Sequence, residues 1–271
     1  MLLASCQDFG NLKLLSDLPK SLEEVSGTET ITDSDLIWML NDSGNKPKLY
    51  AVSNKGKIKK EVSIKAKNND WEDLTSDDEG NIYIGDFGNN LNKRKNLVIL
   101  KVNKYELKKN KADAEKIKFV YPNQNSFPPK KKRMFFDAEA FFYFNNSLYI
   151  FTKSRVKNKF GKTSLYKIPA EKGKYQAKLI SEFDNCEELE CWITSADISP
   201  DKSKVVLLSQ KNVLVFSNFK NDDFFSGNLK VIPLKHRSQK EGICFKNNNT
   251  LLITDEKAHG AGGNLYELNI D

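Results

Sequence analysis

The 271 residues include only two histidines, which form no cluster, and neither stands at ligand spacing from a cysteine pair. A zinc site of the Cys/His kind is therefore not expected. No run approaches the roughly 20 apolar residues that cross a bilayer as a helix, and no Pro/Gly/Ser-rich linker divides the chain. A Ser-His-Asp order is missing, and so is a glycine loop that opens a helix, since Gly260-Ala261-Gly262-Gly263 reads as a turn. Almost nothing keeps a helical period for three turns. What is present is a succession of short alternating, β-branched and aromatic runs separated by Asn, Asp, Gly and Lys, which is an all-β signature.

Charged residues at 29% and apolar residues at 39% place the chain among ordinary globular proteins rather than disordered ones. The formal charge of +7 comes mostly from scattered lysines, the pattern of solvated strand edges and turns, so nucleic acid is not expected as a partner. The one compact basic run, Lys130-Lys131-Lys132-Arg133 after Pro128-Pro129, reads first as a charged loop and has the charge to meet phosphates or acidic lipid head groups.

The start, Met1-Leu2-Leu3-Ala4-Ser5-Cys6, resembles the end of a lipobox, where a Leu and two small residues precede the cysteine that receives a diacylglycerol. Residues 1–10 are accordingly expected to be the end of a lipoprotein signal peptide and a tether, with Cys6 lipidated, and residues 11–271 one propeller domain. The expected location is the bacterial cell envelope, at the outer membrane, with the membrane reached through the lipid anchor. An oxidising compartment then makes Cys186 and Cys191, five residues apart, a disulfide pair. Cys244, within Ile243-Cys244-Phe245, reads as a buried thiol.

One unit recurs: an acid, a short apolar strand, a Leu-Tyr-like strand, then two more strands. It begins at Glu24, Glu72, Glu139, Asp197 and Glu241. The intervals, about 45 to 65 residues, suit one four-stranded blade each. The expected fold is an all-β propeller of five four-stranded blades; six would require an extra blade between residues 72 and 139. The fifth unit stops one strand short, and residues 11–15 are expected to complete it, closing the ring without a free edge.

In a propeller, the starts of first strands and the ends of second strands share one mouth. The five acids are therefore expected to converge as a metal site, with Asp42, Asp86, Lys153, Gln210 and Asp255 opposite them and Asp73, Arg94, Arg155 and Glu256 close by. Crowded carboxylates repel one another unless a cation offsets them. Ca²⁺, which takes six to eight oxygen ligands in flexible geometry, is the expected cofactor. The competing reading is that the acids bond backbone N–H groups of neighbouring strands.

The stretch Asp70-Trp71-Glu72-Asp73, then Asn81-Ile82-Tyr83-Ile84-Gly85-Asp86-Phe87-Gly88-Asn89-Asn90 and Arg94, resembles the signature of a family of bacterial envelope β-propeller lipoproteins. Asn41-Asp42-Ser43-Gly44, Asp137-Ala138-Glu139-Ala140 and Gln239-Lys240-Glu241-Gly242-Ile243 are similar to its other repeats. The resemblance implies the fold and no established activity. More distantly, an acid before each inner strand is similar to calcium-dependent apyrases and to propeller phytase or esterase-like proteins, which implies a channel-bound Ca²⁺.

Two function classes follow. The first is a binding or scaffold module that presents its acidic mouth to a protein or a glycan, with Phe224-Phe225 as an exposed contact. The alternative is a metal-assisted hydrolase of a phosphate ester or glycan. In that reading Asp73 or Asp86 is the base, and Arg94, Lys153 or Arg155 neutralises developing charge.

Overall fold

A computed structural model describes residues 8–271 apart from Asp33 and His259. Cys6 and the expected lipobox lie outside the described residues. Strand β1 (Lys13–Asp17) opens the chain, and five mainly antiparallel sheets are arranged around a channel. Blade 1 is β2 (Val25–Thr30), β3 (Ile37–Asn41), β4 (Lys48–Val52) and β5 (Ile58–Ile64). Blade 2 is β6 (Trp71–Ser76), β7 (Ile82–Asp86), β8 (Leu97–Val102) and, after the short β9 (Lys111–Ala112), β10 (Glu115–Val120). Blade 3 is β11 (Asp137–Phe144), β12 (Ser147–Lys153), β13 (Lys162–Pro169) and, after β14 (Gly173–Gln176), β15 (Lys178–Asp184). Blade 4 is β16 (Ser195–Ile198), β17 (Lys204–Leu208), β18 (Asn212–Ser217) and β19 (Asn228–Pro233). Blade 5 is β20 (Gln239–Asn247), β21 (Thr250–Glu256) and β22 (Asn264–Asn269), completed by β1.

Five blades are present, and the N-terminal strand closes the fifth by pairing antiparallel with β22, Lys13 opposite Glu267 and Asp17 opposite Asn264. This strand is displaced two residues from the expected position, because Leu12 is taken into the core between blades 4 and 5. Two blades exceed four strands. β9 adds parallel to β5 and β14 adds parallel to β10, so a segment of blade 2 covers the outer edge of blade 1 and a segment of blade 3 covers that of blade 2. Covering an edge removes a template for unwanted pairing. The six-blade alternative is not realised, since residues 122–136 form a loop with only a three-residue 3-10 turn.

Alternation drives the packing. Alternate residues of each strand point into opposite inter-blade layers, giving five apolar clusters that fill the gaps between successive blades. Phe224 and Phe225 belong to one of them, which corrects the expectation of an exposed contact. Phe224 is fully buried, 5.2 Å from Phe142 and 5.0 Å from Tyr149, and Phe225 lies 5.3 Å from Phe183 and 5.4 Å from Phe216. The aspartates before them orient the turn, Asp222 accepting from Lys167 at 2.7 Å and Asp223 from Ser181 at 2.7 Å.

Candidate functional site: the channel and its upper mouth

The inner strands β2, β6, β11, β16 and β20 run from the upper mouth downward, each with one edge facing the channel instead of another strand. Those edges leave backbone N–H groups without ladder partners, and buried N–H groups must find acceptors. Side chains of the preceding blade supply them. Glu29 accepts from Ser76 N at 3.1 Å, Thr75 from Tyr143 N at 3.0 Å, Ser195 from Ile243 N at 3.1 Å and Asp197 from Phe245 N at 2.7 Å. Asp73 accepts from Leu74 N at 2.9 Å, Phe141 N at 3.4 Å and the Ser195 hydroxyl at 3.0 Å.

Two expectations are corrected here. Asp73 is fully buried within the channel with its oxygens engaged by these donors, so it is not poised as a base at the mouth. Asp197 lies deeper than the mouth. Its strand pairs Ser195 with Leu208 as β20 pairs Gly242 with Thr254, so the residue of blade 4 equivalent to Glu241 is Thr194. Burial pushes Asp197 up to about 7, against the backbone bonds from Phe245 and Ile198. Burial, reinforced by Asp197, likewise holds Glu29 well above the carboxylate range.

The mouth position itself is made by β-bulges. The register shifts between Val25 and Gly27, Trp71 and Leu74, Ala138 and Ala140, and Lys240 and Gly242. The residues left out of the ladder are Ser26, the Glu72-Asp73 pair, Glu139 and Glu241. A bulge re-aims the side chain of its extra residue, and here it turns three glutamates toward the channel axis. Blades 1 and 4 carry hydroxyls instead: Ser26 donates to the carbonyl of Glu72, and Thr194 to that of Lys240 at 2.8 Å. Glu24, two residues before Ser26, remains at the exposed rim, where Asn45 bonds it.

Glu72 and Glu139 are buried, Glu241 is half-buried, and Glu139 lies within electrostatic reach of both others. Burial raises Glu241 to about 8 even though Lys153 acts against the shift, and burial together with Glu139 holds Glu72 well above its ordinary value. The remaining mouth residues fall into two halves. On blade 3, Lys153 bonds Glu139, while Arg155 donates to Asp137 at 2.6 Å and to Glu139 at 3.0 Å. Burial opposes the Lys153 charge, but Glu139 and Glu241 outweigh it and keep its pKa above the usual lysine value. Trp192 covers both cations, with its ring 4.8 Å from Lys153 Nζ and 4.7 Å from the Arg155 guanidinium carbon. The Cys186–Cys191 disulfide, with a Cα–Cα separation of 5.7 Å, closes the loop that delivers Trp192, whose indole donates to Ser154 O at 2.5 Å.

The other half, on blades 1 and 2, is acidic. Carboxylate oxygens of Asp42, Asp70 and Glu72 lie within 4.8 Å of one another. Burial raises Asp42 to about 6, and burial also raises Asp70. The nearest cation, Arg94, is 4.0 Å from Asp70 and is directed at Asp86 instead, donating at 2.8 Å. Asp86 also accepts from Asn69 at 2.6 Å and from Asp70 N at 3.2 Å, so it is a clamp for this segment. Gly88 packs flush against the cluster, and a Cβ there would overlap Glu72 Oε1 and Asp70. The trio combines three oxygen donors with a shortage of positive charge, which suits a hard cation such as Ca²⁺.

Gln210 and Asp255 stand on blades 4 and 5 as expected. Asp255 is fully buried, however, accepting from Ser238 at 2.5 Å and from Tyr266 at 2.8 Å. Sequence reasoning missed Asp70, Gly88, Ser195 and Trp192 as site residues. Asp70 and Gly88 stood within the recognised motif, whereas nothing local marks Ser195 or Trp192.

No family model matches the sequence, and no curated protein matches it. Among solved structures, a gluconolactonase from Xanthomonas campestris aligns at 11% identity with a TM-score of 0.51, covering 100% of this chain and 94% of its own. A chain of a nidogen/laminin complex aligns at 11% identity and a TM-score of 0.51, covering 91% and 76%. A catalytically inactive virginiamycin B lyase from Staphylococcus aureus aligns at 13% identity and a TM-score of 0.45, covering 94% and 69%. Identity this low carries the fold alone, and with the strand order above the chain is a five-bladed β-propeller.

Proposed function

We propose that the chain is an envelope lipoprotein of the β-propeller kind whose upper mouth is a Ca²⁺-dependent binding module for a protein or glycan. The observation that carries the proposal is the Asp42, Asp70 and Glu72 trio, three carboxylates within 4.8 Å and short of neutralising charge. In this reading Ca²⁺ is held by those three side chains and leaves the rest of its shell to water or to oxygens of the ligand. The hydrolase reading has less support. Asp73 is enclosed, Asp86 is bonded on both oxygens, and Lys153 and Arg155 are committed to Glu139 and Asp137. The lipid anchor at Cys6 rests on the lipobox resemblance alone.

The test is thermal unfolding of metal-stripped protein with and without Ca²⁺. A cation that binds only the folded state stabilises it by RT ln(1 + [L]/Kd), about 2.7 kcal/mol at 100 times Kd. The wild-type Tm should rise, and Asp70→Asn with Glu72→Gln should abolish the rise. An unchanged wild-type Tm at millimolar Ca²⁺ refutes the metal site.

A further inference from the structure

Three loops of the upper face join into one surface on blades 2 and 3: residues 87–96 between β7 and β8, 122–136 between β10 and β11, and 154–161 between β12 and β13. They are knitted together. Gln124 donates to Asn92 O at 2.8 Å, Phe136 N to Asn92 Oδ1 at 2.8 Å, and Arg155 N to Met134 O at 2.9 Å.

Their charge is one-sided. Residues 93–95 and 130–133 are all Lys or Arg, the third loop adds Arg155, Lys157 and Lys159, and none of the three loops contains an acid. Arg94 and Arg155 turn inward to Asp86 and Asp137. The other eight cations are exposed, and among the described residues none of them forms an ion pair. Elsewhere lysines do pair with acids, as Lys48 does with Glu61 and Lys65 with Asp113.

Two further features accompany the charge. Leu91, at the tip of the first loop, is 58% exposed, one of the most exposed large apolar side chains described. In the second loop, Lys130, Lys132 and Arg133 line a small pocket with Asn123, Asn125 and Ser126, an arrangement of cations beside amide and hydroxyl donors.

We infer that this surface docks on an anionic phospholipid membrane, with Leu91 entering the interface and head-group phosphates meeting the lysines. A soluble polyanion would be served by charge alone and gives no role to an exposed leucine amid the cations. Lysines distributed over a face, with one apolar side chain among them, suit a lipid surface, where each adjacent cation adds attraction to anionic head groups and an apolar side chain adds burial. The inference does not use the metal site and holds whether or not Cys6 is acylated.

The test is cosedimentation of the full chain, carrying Cys6→Ser so that no acyl chain contributes, with vesicles of phosphatidylcholine alone or with 30% phosphatidylglycerol, in EDTA. Binding should require phosphatidylglycerol and fall steeply between 50 and 300 mM salt. Replacing residues 130–133 by Gln should weaken it at least twentyfold, and Leu91→Asn several-fold without changing the Tm. Absence of binding to the anionic vesicles at 50 mM salt overturns the inference. So does Leu91→Asn without effect combined with full competition by inorganic polyphosphate, which would identify a polyanion site.

Discussion

Asp73 and Ser195 sit on blades 2 and 4, which are not neighbours, yet the serine hydroxyl donates to Asp73 Oδ2 at 3.0 Å. The channel is therefore bridged by side chains below its upper mouth, and blades 2, 3 and 4 are joined by one carboxylate that accepts from a strand of each. A buried acceptor of this kind is costly to remove, because each donor left behind loses about 1–3 kcal/mol. Asp73→Ala should lower the unfolding free energy by about 3 kcal/mol or more in urea titration. Ser195→Ala should cost about 1–2 kcal/mol, since Ile243 N loses its acceptor. If Asp73→Ala left stability unchanged, Asp73 would be a functional rather than a structural acid.

The repeat pattern made the blade count and the closing strand legible because each blade repeats the same apolar alternation, and burial enforces that alternation. The equivalence of Glu72, Glu139 and Glu241 was legible for the same reason. The displacement of Asp197 was not, since an acid before an apolar strand looks the same at the bulge as three residues below it. Nor were the contacts of Trp192 with Lys153 and Arg155, which join residues about forty apart through the curvature of the ring and a disulfide loop. Strands β9 and β14 are too short to announce themselves and exist because a neighbouring edge is open to them.

Gly88 tests the cation trio sterically. A methyl group there would meet Glu72 Oε1 and Asp70. Gly88→Ala should leave the fold intact and displace both carboxylates, removing the Ca²⁺-dependent rise in Tm that wild-type protein is expected to give. Retention of the full rise would place the cation elsewhere.

The buried acids fix the sign of the pH dependence. Asp42 and Asp137 are raised to about 6, Asp197 to about 7 and Glu241 to about 8, in each case chiefly by burial. Between the ordinary carboxylate range and these values the folded chain binds more protons than the unfolded chain, so stability falls as pH rises, by up to about 1.4 kcal/mol per pH unit for each group that is protonated when folded and ionised when unfolded. Urea midpoints should drop between pH 5 and pH 8. Ca²⁺ should flatten the drop by favouring the ionised forms of Asp42, Asp70 and Glu72. A flat profile without Ca²⁺ would mean that these acids are compensated.

The disulfide tethers the loop that carries Trp192. For so short a loop, chain entropy assigns it about 2 kcal/mol. Reduction should lower Tm modestly and shift indole emission to the red as Trp192 leaves Lys153 and Arg155, while Trp71, fully buried, stays dark to solvent. Emission unchanged on reduction would show that strand packing alone seats the indole.

Lys153 and Glu139 form an enclosed ion pair at the mouth, with side chains 9% and 7% exposed. The pair's worth lies less in its attraction than in what each partner prevents. Without the ammonium, the buried Glu139 and the half-buried Glu241 would face each other, and only Arg155 would remain to offset Glu139. Removing one member of a buried pair typically costs 3–5 kcal/mol, whereas replacing both by groups of similar shape is often close to neutral. Lys153→Met should therefore destabilise the chain by about 3 kcal/mol, and Lys153→Met with Glu139→Gln should recover most of the loss. The single variant should also raise the pKa of Glu241 further, because Lys153, ahead of the hydrogen bond from Gln239, opposes the rise. Urea unfolding at pH 6 and pH 8 separates the outcomes. If Lys153→Met is as stable as the wild type, or if the double variant is no better than the single one, the ammonium does not hold the mouth together.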